Sequence, residues 1–454
     1  MSQPLFTKNA KAYTACMNTE HKNSAQNVLS FIKKSPSCFH VIKNLSEELK
    51  ANGFESLDER KEWKLHEGGK YFVIRNNSSI ISFKIPKTPF GRFMITSSHS
   101  DSPSFKIKEN PEIKAAGYIK LNVEKYGGMI IAPWFDRPLS VAGRLIIKSK
   151  SEDNRIHLQE KLIDIDRDLV LIPNLAIHMN RDVNDGAKIN VQNEVAPIFT
   201  ADSGTDNKSL TQILAEAADV AAESVVSSDL FLYNRTAPTF WGKDNEFIAS
   251  TKLDDLECAY TTFKGFLAAE NTDAVTMHCV FDNEEVGSLS RQGADSTFLR
   301  DTLERISNNL GRTHESFLAT LANSFMVSAD NAHALHPNYS DKADPVNRPA
   351  VNKGIVIKFN AAQKYTSDAI SSAFFKQVCQ NAGVPYQIFT NNSNIAGGST
   401  LGNISNSHVS IPSVDIGLAQ WAMHSPYESA GALDPLYMEK AITAFYGSTF
   451  ELES

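Results

Sequence analysis

The chain is poor in cysteine. Cys16, Cys38, Cys258, Cys279 and Cys379 are odd in number and scattered through 454 residues. With no CxxC pair, neither a disulfide framework nor a thiolate zinc site is expected. Long apolar runs are also lacking. None approaches a membrane span, and Met1 to Ala15 holds no apolar stretch of the secretory kind. Positive charge is not in excess either. A formal net charge of -7 argues against a general binder of nucleic acid or membrane surfaces. Internal repeats and low-complexity tracts do not stand out. The expectation is a reducing, cytoplasmic location, and oxygen and nitrogen become the ligand atoms to look for.

What is present is ordinary for a globular protein: 42% hydrophobic and 21% charged residues, in a length that suits two or three domains. Helix and strand alternate at first. Ser24 is placed to cap a helix carrying Val28, Leu29, Phe31 and Ile32, stopped by Ser35-Pro36. Val41, Ile42, Leu45 and Leu49 mark a second helix, closed by Gly53. Strands are expected over 80–85 and 93–96. From about 105 the texture is β: Ile119, Leu121 and Val123 alternate with Lys120, Asn122 and Glu124. Leu162, Ile163 and Ile165 interleave with Asp164 and Asp166, ahead of Leu169-Val170-Leu171-Ile172. No helix is expected over 105–200, and 208–226 reads as helical. The reading is a β-rich insertion, 105–243, within an α/β domain made of 1–104 and 244–454. Beyond it, Asp254 stands where a helix N-cap belongs. A strand follows at 274–281, helices near 297–310 and 315–324, and strands at 325–328 and 355–357. A helix over 367–381, strands at 386–389 and 414–418, and a last helix opened by Asp434-Pro435 complete the chain.

The apolar run ending at Phe281 passes straight into Asp282-Asn283-Glu284-Glu285-Val286-Gly287-Ser288. Carboxylates crowded at a buried strand end repel unless something positive sits there. The choice is a solvated loop or a metal site. His99, Asp254, Glu284-Glu285, Asp330 and His424 all fall where a strand ends or a helix begins. In an open α/β sheet the carboxyl ends of the strands form the ligand crevice. Two imidazoles and several carboxylates suit zinc, or a pair of zinc ions whose charge offsets the acids. Asp101 lies two residues from His99, on the same side of an extended backbone, where it can orient the imidazole.

Ser98-His99-Ser100-Asp101-Ser102-Pro103, Lys252-Leu253-Asp254, the Asp282–Ser288 stretch, Ser328-Ala329-Asp330-Asn331-Ala332-His333 and Met423-His424-Ser425 occur in one order. In this the chain resembles the aspartyl aminopeptidases, relatives of vacuolar aminopeptidase I, over nearly its whole length. The resemblance implies a three-layer α/β/α zinc-peptidase domain with a mostly β inserted dimerisation domain. It implies a di-zinc enzyme that removes N-terminal Asp or Glu from peptides, with cobalt or manganese as possible substitutes for zinc. Asp254 would bridge the ions, His99 and Asp330 hold one, and Glu285 and His424 hold the other. Glu284 would be the general base. Lys358 would meet an acidic substrate side chain, and Gly398, Ser399 and Thr400 would line the pocket; a solvated lysine and a plain flexible turn are the alternatives. His178 would enter a neighbouring subunit's site within a homo-oligomer, a tetrahedral dodecamer in the family. Leu253-Asp254-Asp255 departs from the family's Leu-Asp-Asn, so Asp255 competes with Asp254. His333 and His336 are read as structural. The same chemistry on neutral N-terminal residues such as Leu is the alternative function.

Overall fold

The computed structural model describes residues 17–451, apart from 150–154, 187 and 205–206. Met1 to Ala15 and Cys16 therefore lie outside the described residues.

Ala274–Phe281 is buried at every position, so it needs strands on both edges and cover on both faces. It pairs antiparallel with Ser79–Lys84 and parallel with Arg92–His99. Among the described residues the sheet has nine strands. It continues on one side through Phe325–Ala329, Ser413–Gly417, Ile355–Phe359 and Tyr386–Thr390, and on the other through Lys70–Arg75 and Glu55–Leu57. Side chains alternate between two apolar layers, as a period of two requires. Val280 and Met94 pack with helices Thr19–Lys33, Cys38–Ala51, Leu253–Ala268, Ala369–Asn381 and Asp434–Tyr446. Cys279, Phe281, Phe93 and Ile95 pack with Phe298–Asn309, His314–Ala322 and Leu401–Ser405. The result is the expected α/β/α sandwich. Arg92–His99, Ala274–Phe281, Phe325–Ala329 and Ser413–Gly417 are mutually parallel, so their carboxyl ends share one edge.

A second, antiparallel sheet takes Leu158–Asp164, Leu139–Lys148, Val225–Asn234, Ser104–Ala115, Tyr118–Tyr126 and Ile198–Ala201 in that spatial order. It has its own apolar core around Phe105, Leu121, Trp134, Leu145 and Leu232. Thr239–Trp241 instead joins a third, five-stranded sheet with Phe247–Ser250, Glu428–Gly431, Ala419–Trp421 and Ala332–His333. Among the described residues no helix is long and apolar enough to cross a membrane.

Several sequence expectations need correction. Ser24 does not cap the first helix. Asn18 does, accepting the His21 N–H, and Ser24 lies one and a half turns inside, donating to Glu439 Oε1 at 2.7 Å. Residues 169–172 form only isolated bridges, and the helix expected over 208–226 spans Leu210–Ala217, ending before Asp219 at φ +54°. One helical turn, Val191–Glu194, stands in the stretch where no helix was expected. Asp254 caps nothing. Lys252 holds the cap position, and Asp254 and Asp255 keep non-helical backbone in the first turn of Leu253–Ala268, with a cis peptide between them.

Candidate metal centre

The shared carboxyl edge gathers chemistry because each parallel strand stops there. Arg92–His99 delivers His99 and, two residues on, Asp101. Ala274–Phe281 runs into Asp282, a left-handed Asn283 and the single turn Glu284–Val286. Phe325–Ala329 delivers Asp330, and the loop after Ala419–Trp421 brings His424 in at φ +66°.

Asp254 stands between the two imidazoles. Its Oδ1 is 3.5 Å from His99 Nε2, and its Oδ2 is 3.3 Å from His424 Nε2. Glu285 Oε2 lies 3.4 Å from His424 Nε2. Three overlapping groups result: His99, Asp254, Asp255 and Asp330; His99, Glu284 and Glu285; Asp254, Glu285 and His424. Within each, the ligand atoms lie within 4.8 Å of one another. Asp254 belongs to two of them. Asp255 belongs to one, and its Oδ2 accepts the His99 backbone N–H at 3.2 Å.

Both imidazoles are held from behind. His99 Nδ1 faces the Asp101 carbonyl at 3.1 Å and Asp101 Oδ1 at 3.4 Å, leaving Nε2 toward the cavity. His424 Nδ1 donates to the Gly128 carbonyl. Such bonds fix the ring and its tautomer in metal sites. The Asp101 carboxylate also accepts the backbone N–H groups of Glu284 and Glu285, at 3.1 and 3.2 Å, and the Tyr126 hydroxyl at 2.7 Å. Glu428 accepts the backbone N–H of Asp254 at 3.1 Å and of His424 at 2.7 Å.

The donor set fits a bound cation. Asp254 Oδ1, Asp255 Oδ1 and Glu285 Oε1 are buried and have no hydrogen-bond donor among the described residues. A buried, unmatched carboxylate oxygen is costly. Burial and neighbouring acids push Glu284 up to about 8, and raise Glu285 and Asp255 far above the carboxylate range. Burial pulls His99 and His424 down. The acids beside them more than offset this, and His424 reaches about 9. Surplus negative charge with imidazole and carboxylate donors is the chemistry of a zinc site.

A cavity of about 130 Å³ opens onto the cluster, and its lining includes His99, Asp254, Glu284, Asp330, Lys358 and His424. Gly398, Ser399 and Thr400 line it as well, and Thr400 Oγ1 donates to Asp415 Oδ1 at 2.7 Å. Asp101 and Glu285 sit behind the lining. Lys358 is not a solvated lysine. Only 2% exposed, it donates to the Asn331 carbonyl at 2.9 Å and lies 3.4 Å from Asp330 Oδ2. Burial lowers its proton affinity, but Asp330 and Tyr365 more than offset this. His333 lines the cavity, and His336 lines the adjoining one; among the described residues neither belongs to a cluster of metal-ligand spacing. His178 is not brought to this cavity. It lies on the exposed turn Ile177–Met179. Sequence reasoning missed Tyr126 and Glu428. For Glu428 a signal existed, an acid four residues after His424; Tyr126 offered none.

Residues 31–446 match the family described as Aminopeptidase I zinc metalloprotease (M18). A protein of Clostridium acetobutylicum named probable M18 family aminopeptidase 2 is 46% identical over 427 residues, covering 93% of this chain and 98% of its own. A protein of the same name from Ectopseudomonas mendocina is 40% identical over 429 residues, with 93% and 98% covered. Among solved structures, a chain from the Ape4 and Nbr1 complex is similar with a TM-score of 0.90 at 35% identity, covering 94% of this chain and 86% of that one. The S. cerevisiae mApe1 dodecamer is similar at 0.82 and 26% identity, with 94% and 97% covered.

Proposed function

The chain belongs to the M18 family of zinc metalloaminopeptidases, and we propose that it removes the N-terminal residue, Asp or Glu by preference, from peptides at a centre of two zinc ions. The carrying observation is Asp254, which turns one oxygen to His99 and the other to His424. That arrangement supports Asp254, rather than Asp255, as the shared ligand. His99 and Asp330 would complete one ion's set, and Glu285 and His424 the other's. Bound zinc supplies Lewis acidity that lowers the pKa of water and polarises a carbonyl; cobalt or manganese could substitute.

The chain's own groups do the rest. Glu284 lines the cavity and is tethered through its backbone N–H to Asp101. Its carboxylate takes the proton of the attacking water and returns it to the leaving amine. Asp101 orients His99 and anchors the Glu284–Glu285 turn. Gly398, Ser399 and Thr400 shape the pocket wall.

For the first side chain, the acidic reading assigns Lys358 to the substrate carboxylate. Two of the three Lys358 donor directions already meet Asp330 and Asn331, and that observation favours a second reading: the same chemistry on neutral residues such as Leu, against Tyr365 and Phe389. Initial rates on paired Asp-, Glu- and Leu-terminated substrates decide it. A strong preference for Asp and Glu supports the first reading, and a preference for Leu overturns it.

The same reading takes 1–104 and 244–454 as the catalytic domain and 105–243 as a dimerisation domain of a homo-oligomer, a tetrahedral dodecamer by the family's pattern. In support, Leu175, Ile177 and Met179 around His178 are apolar and 57%, 47% and 69% exposed, and mApe1 was solved as a dodecamer. His178 of the partner subunit would then complete the substrate site. A fully active monomer in sedimentation would contradict this. A cytoplasmic location is part of the proposal, in keeping with the free, buried thiols of Cys38, Cys258, Cys279 and Cys379.

A further inference from the structure

The centre is not built by the nine-stranded sheet alone. Strand Tyr118–Tyr126 belongs to the six-stranded sheet, and the chain leaving it crosses directly behind the ligands. The Tyr126 hydroxyl donates to Asp101 Oδ2 at 2.7 Å and accepts from Asn283 Nδ2 at 2.9 Å. Two residues later the Gly128 carbonyl receives His424 Nδ1. The Ile130 N–H then donates to the His424 carbonyl at 3.0 Å. Between these contacts Gly127, at φ +78°, lies so near Glu285 that an added Cβ would stand 3.2 Å from the Glu285 Cβ. One short segment thus touches His424 and Glu285 directly, and reaches His99 and Glu284 through Asp101.

Asp101 is the hub of this arrangement. It holds His99 Nδ1 and both backbone N–H groups of the Glu284–Glu285 turn. Tyr126 supplies its remaining donor. Without that hydroxyl, Asp101 Oδ2 keeps only the Glu285 N–H, and the Asn283 amide loses its acceptor inside a turn whose backbone is left-handed. A buried polar group left unmatched moves toward another partner. Here that motion would be passed to the general base. The Tyr126 ring packs edge-on against Phe231 at 5.4 Å, so a phenylalanine there keeps the packing and removes only the oxygen.

We propose that Tyr126 is a positioning residue for the peptidase reaction, and that 126–130 is a brace through which the inserted sheet fixes the Glu284–Glu285 turn and His424. The proposal rests on the assignment of His99, Glu284, Glu285 and His424 given above. The inserted sheet then shapes the chemistry as well as the surface.

The test is Tyr126→Phe in the full-length protein, loaded with zinc for kinetics and with cobalt for its visible absorption spectrum. The expected result is a kcat lower by about 10-fold or more, with KM within about twofold. The cobalt spectrum changes and oligomer size stays as in the parent, while the melting temperature falls by no more than a few degrees. Gly127→Ala keeps the hydroxyl but drives a methyl toward Glu285 from a backbone at φ +78°, so it lowers the melting temperature as well as kcat per folded molecule and changes the cobalt spectrum; it stands in should Tyr126→Phe fold poorly. Parental kcat and an unchanged cobalt spectrum in the folded variants overturn the proposal. So does a lower melting temperature with kcat per folded molecule unchanged, which marks a merely structural tyrosine. His424→Ala in the same series separates the two levels. If it keeps full zinc content, the site assignment itself fails. If it loses zinc while Tyr126→Phe matches the parent, only the brace fails.

Discussion

Ala274–Phe281 and the turn that follows it, 282–288, are neighbours in the chain and opposites in physical chemistry. The strand is buried at every residue, paired on both edges and packed on both faces, so its backbone and apolar side chains are satisfied by the protein, and its one polar atom without a partner among the described residues is the neutral His278 Nδ1. The turn carries Asp282, Glu284 and Glu285 on left-handed or tight backbone, with a buried Glu285 oxygen unmatched by any donor among the described residues. The strand contributes stability. The turn costs stability and is satisfied by something the chain does not supply. Where a sequence passes from the first condition to the second within one residue, function is the economical explanation.

Changes on the two sides of that boundary should separate cleanly. The largest effect is expected from Glu284→Gln, which keeps shape and removes the base. Turnover should fall by about 100- to 10,000-fold with zinc content intact. Zinc lost in that variant would mean the two glutamates have exchanged roles. Chelation should abolish activity and lower the melting temperature together, with both restored by zinc, because a ligand bound only by the folded state stabilises it. Activity surviving exhaustive chelation would remove the metal centre from the account. On the strand side, Phe281→Ala should cost about 3–5 kcal/mol in denaturant unfolding by opening a cavity. A loss below about 1 kcal/mol would show that the strand is not the satisfied element described here. Lys358→Met should lower the ratio of Asp to Leu hydrolysis; an unchanged ratio would return Lys358 to a purely internal role.

The smallest expected effect is a pH dependence of the core. Burial lowers His278 to about 3 from 6.5, and its Nε2 lies 3.2 Å from the Ala259 carbonyl. The folded state keeps this ring neutral, while the unfolded chain takes up a proton below pH 6.5. Its contribution is therefore complete above pH 6.5 and is lost progressively as pH falls toward about 3. Replacing His278 with Gln should flatten the acid side of the stability profile measured by denaturant midpoint. An identical profile would show that other groups set it.

Much of this was legible in the sequence, for physical reasons. A strand buried on both faces reads as an unbroken apolar run, so 274–281 was found to the residue. Acids and histidines at strand ends pointed to the crevice because parallel strands stop at one edge. The cap at Asn18 was missed because a polar run offered several candidates, and burial of His21 and Ala25 decides between them. Lys70–Arg75 was not recognised, since its alternation is blurred by burial of Tyr71, Phe72 and Val73 together. Tyr126 and Glu428 reach Asp101 and Asp254 from 25 and 174 residues away. Such contacts have no local period and appear only in three dimensions. The internal pairing of Lys358 with Asp330 is of the same kind.

The measurement that tests the central claim most directly is the zinc bound per chain after purification without chelator, in the parent, Glu284→Gln and His424→Ala. Two ions in the parent and in Glu284→Gln, with a clear loss in His424→Ala, are what the geometry around Asp254 predicts. No zinc in the parent, or full zinc in His424→Ala, would contradict it.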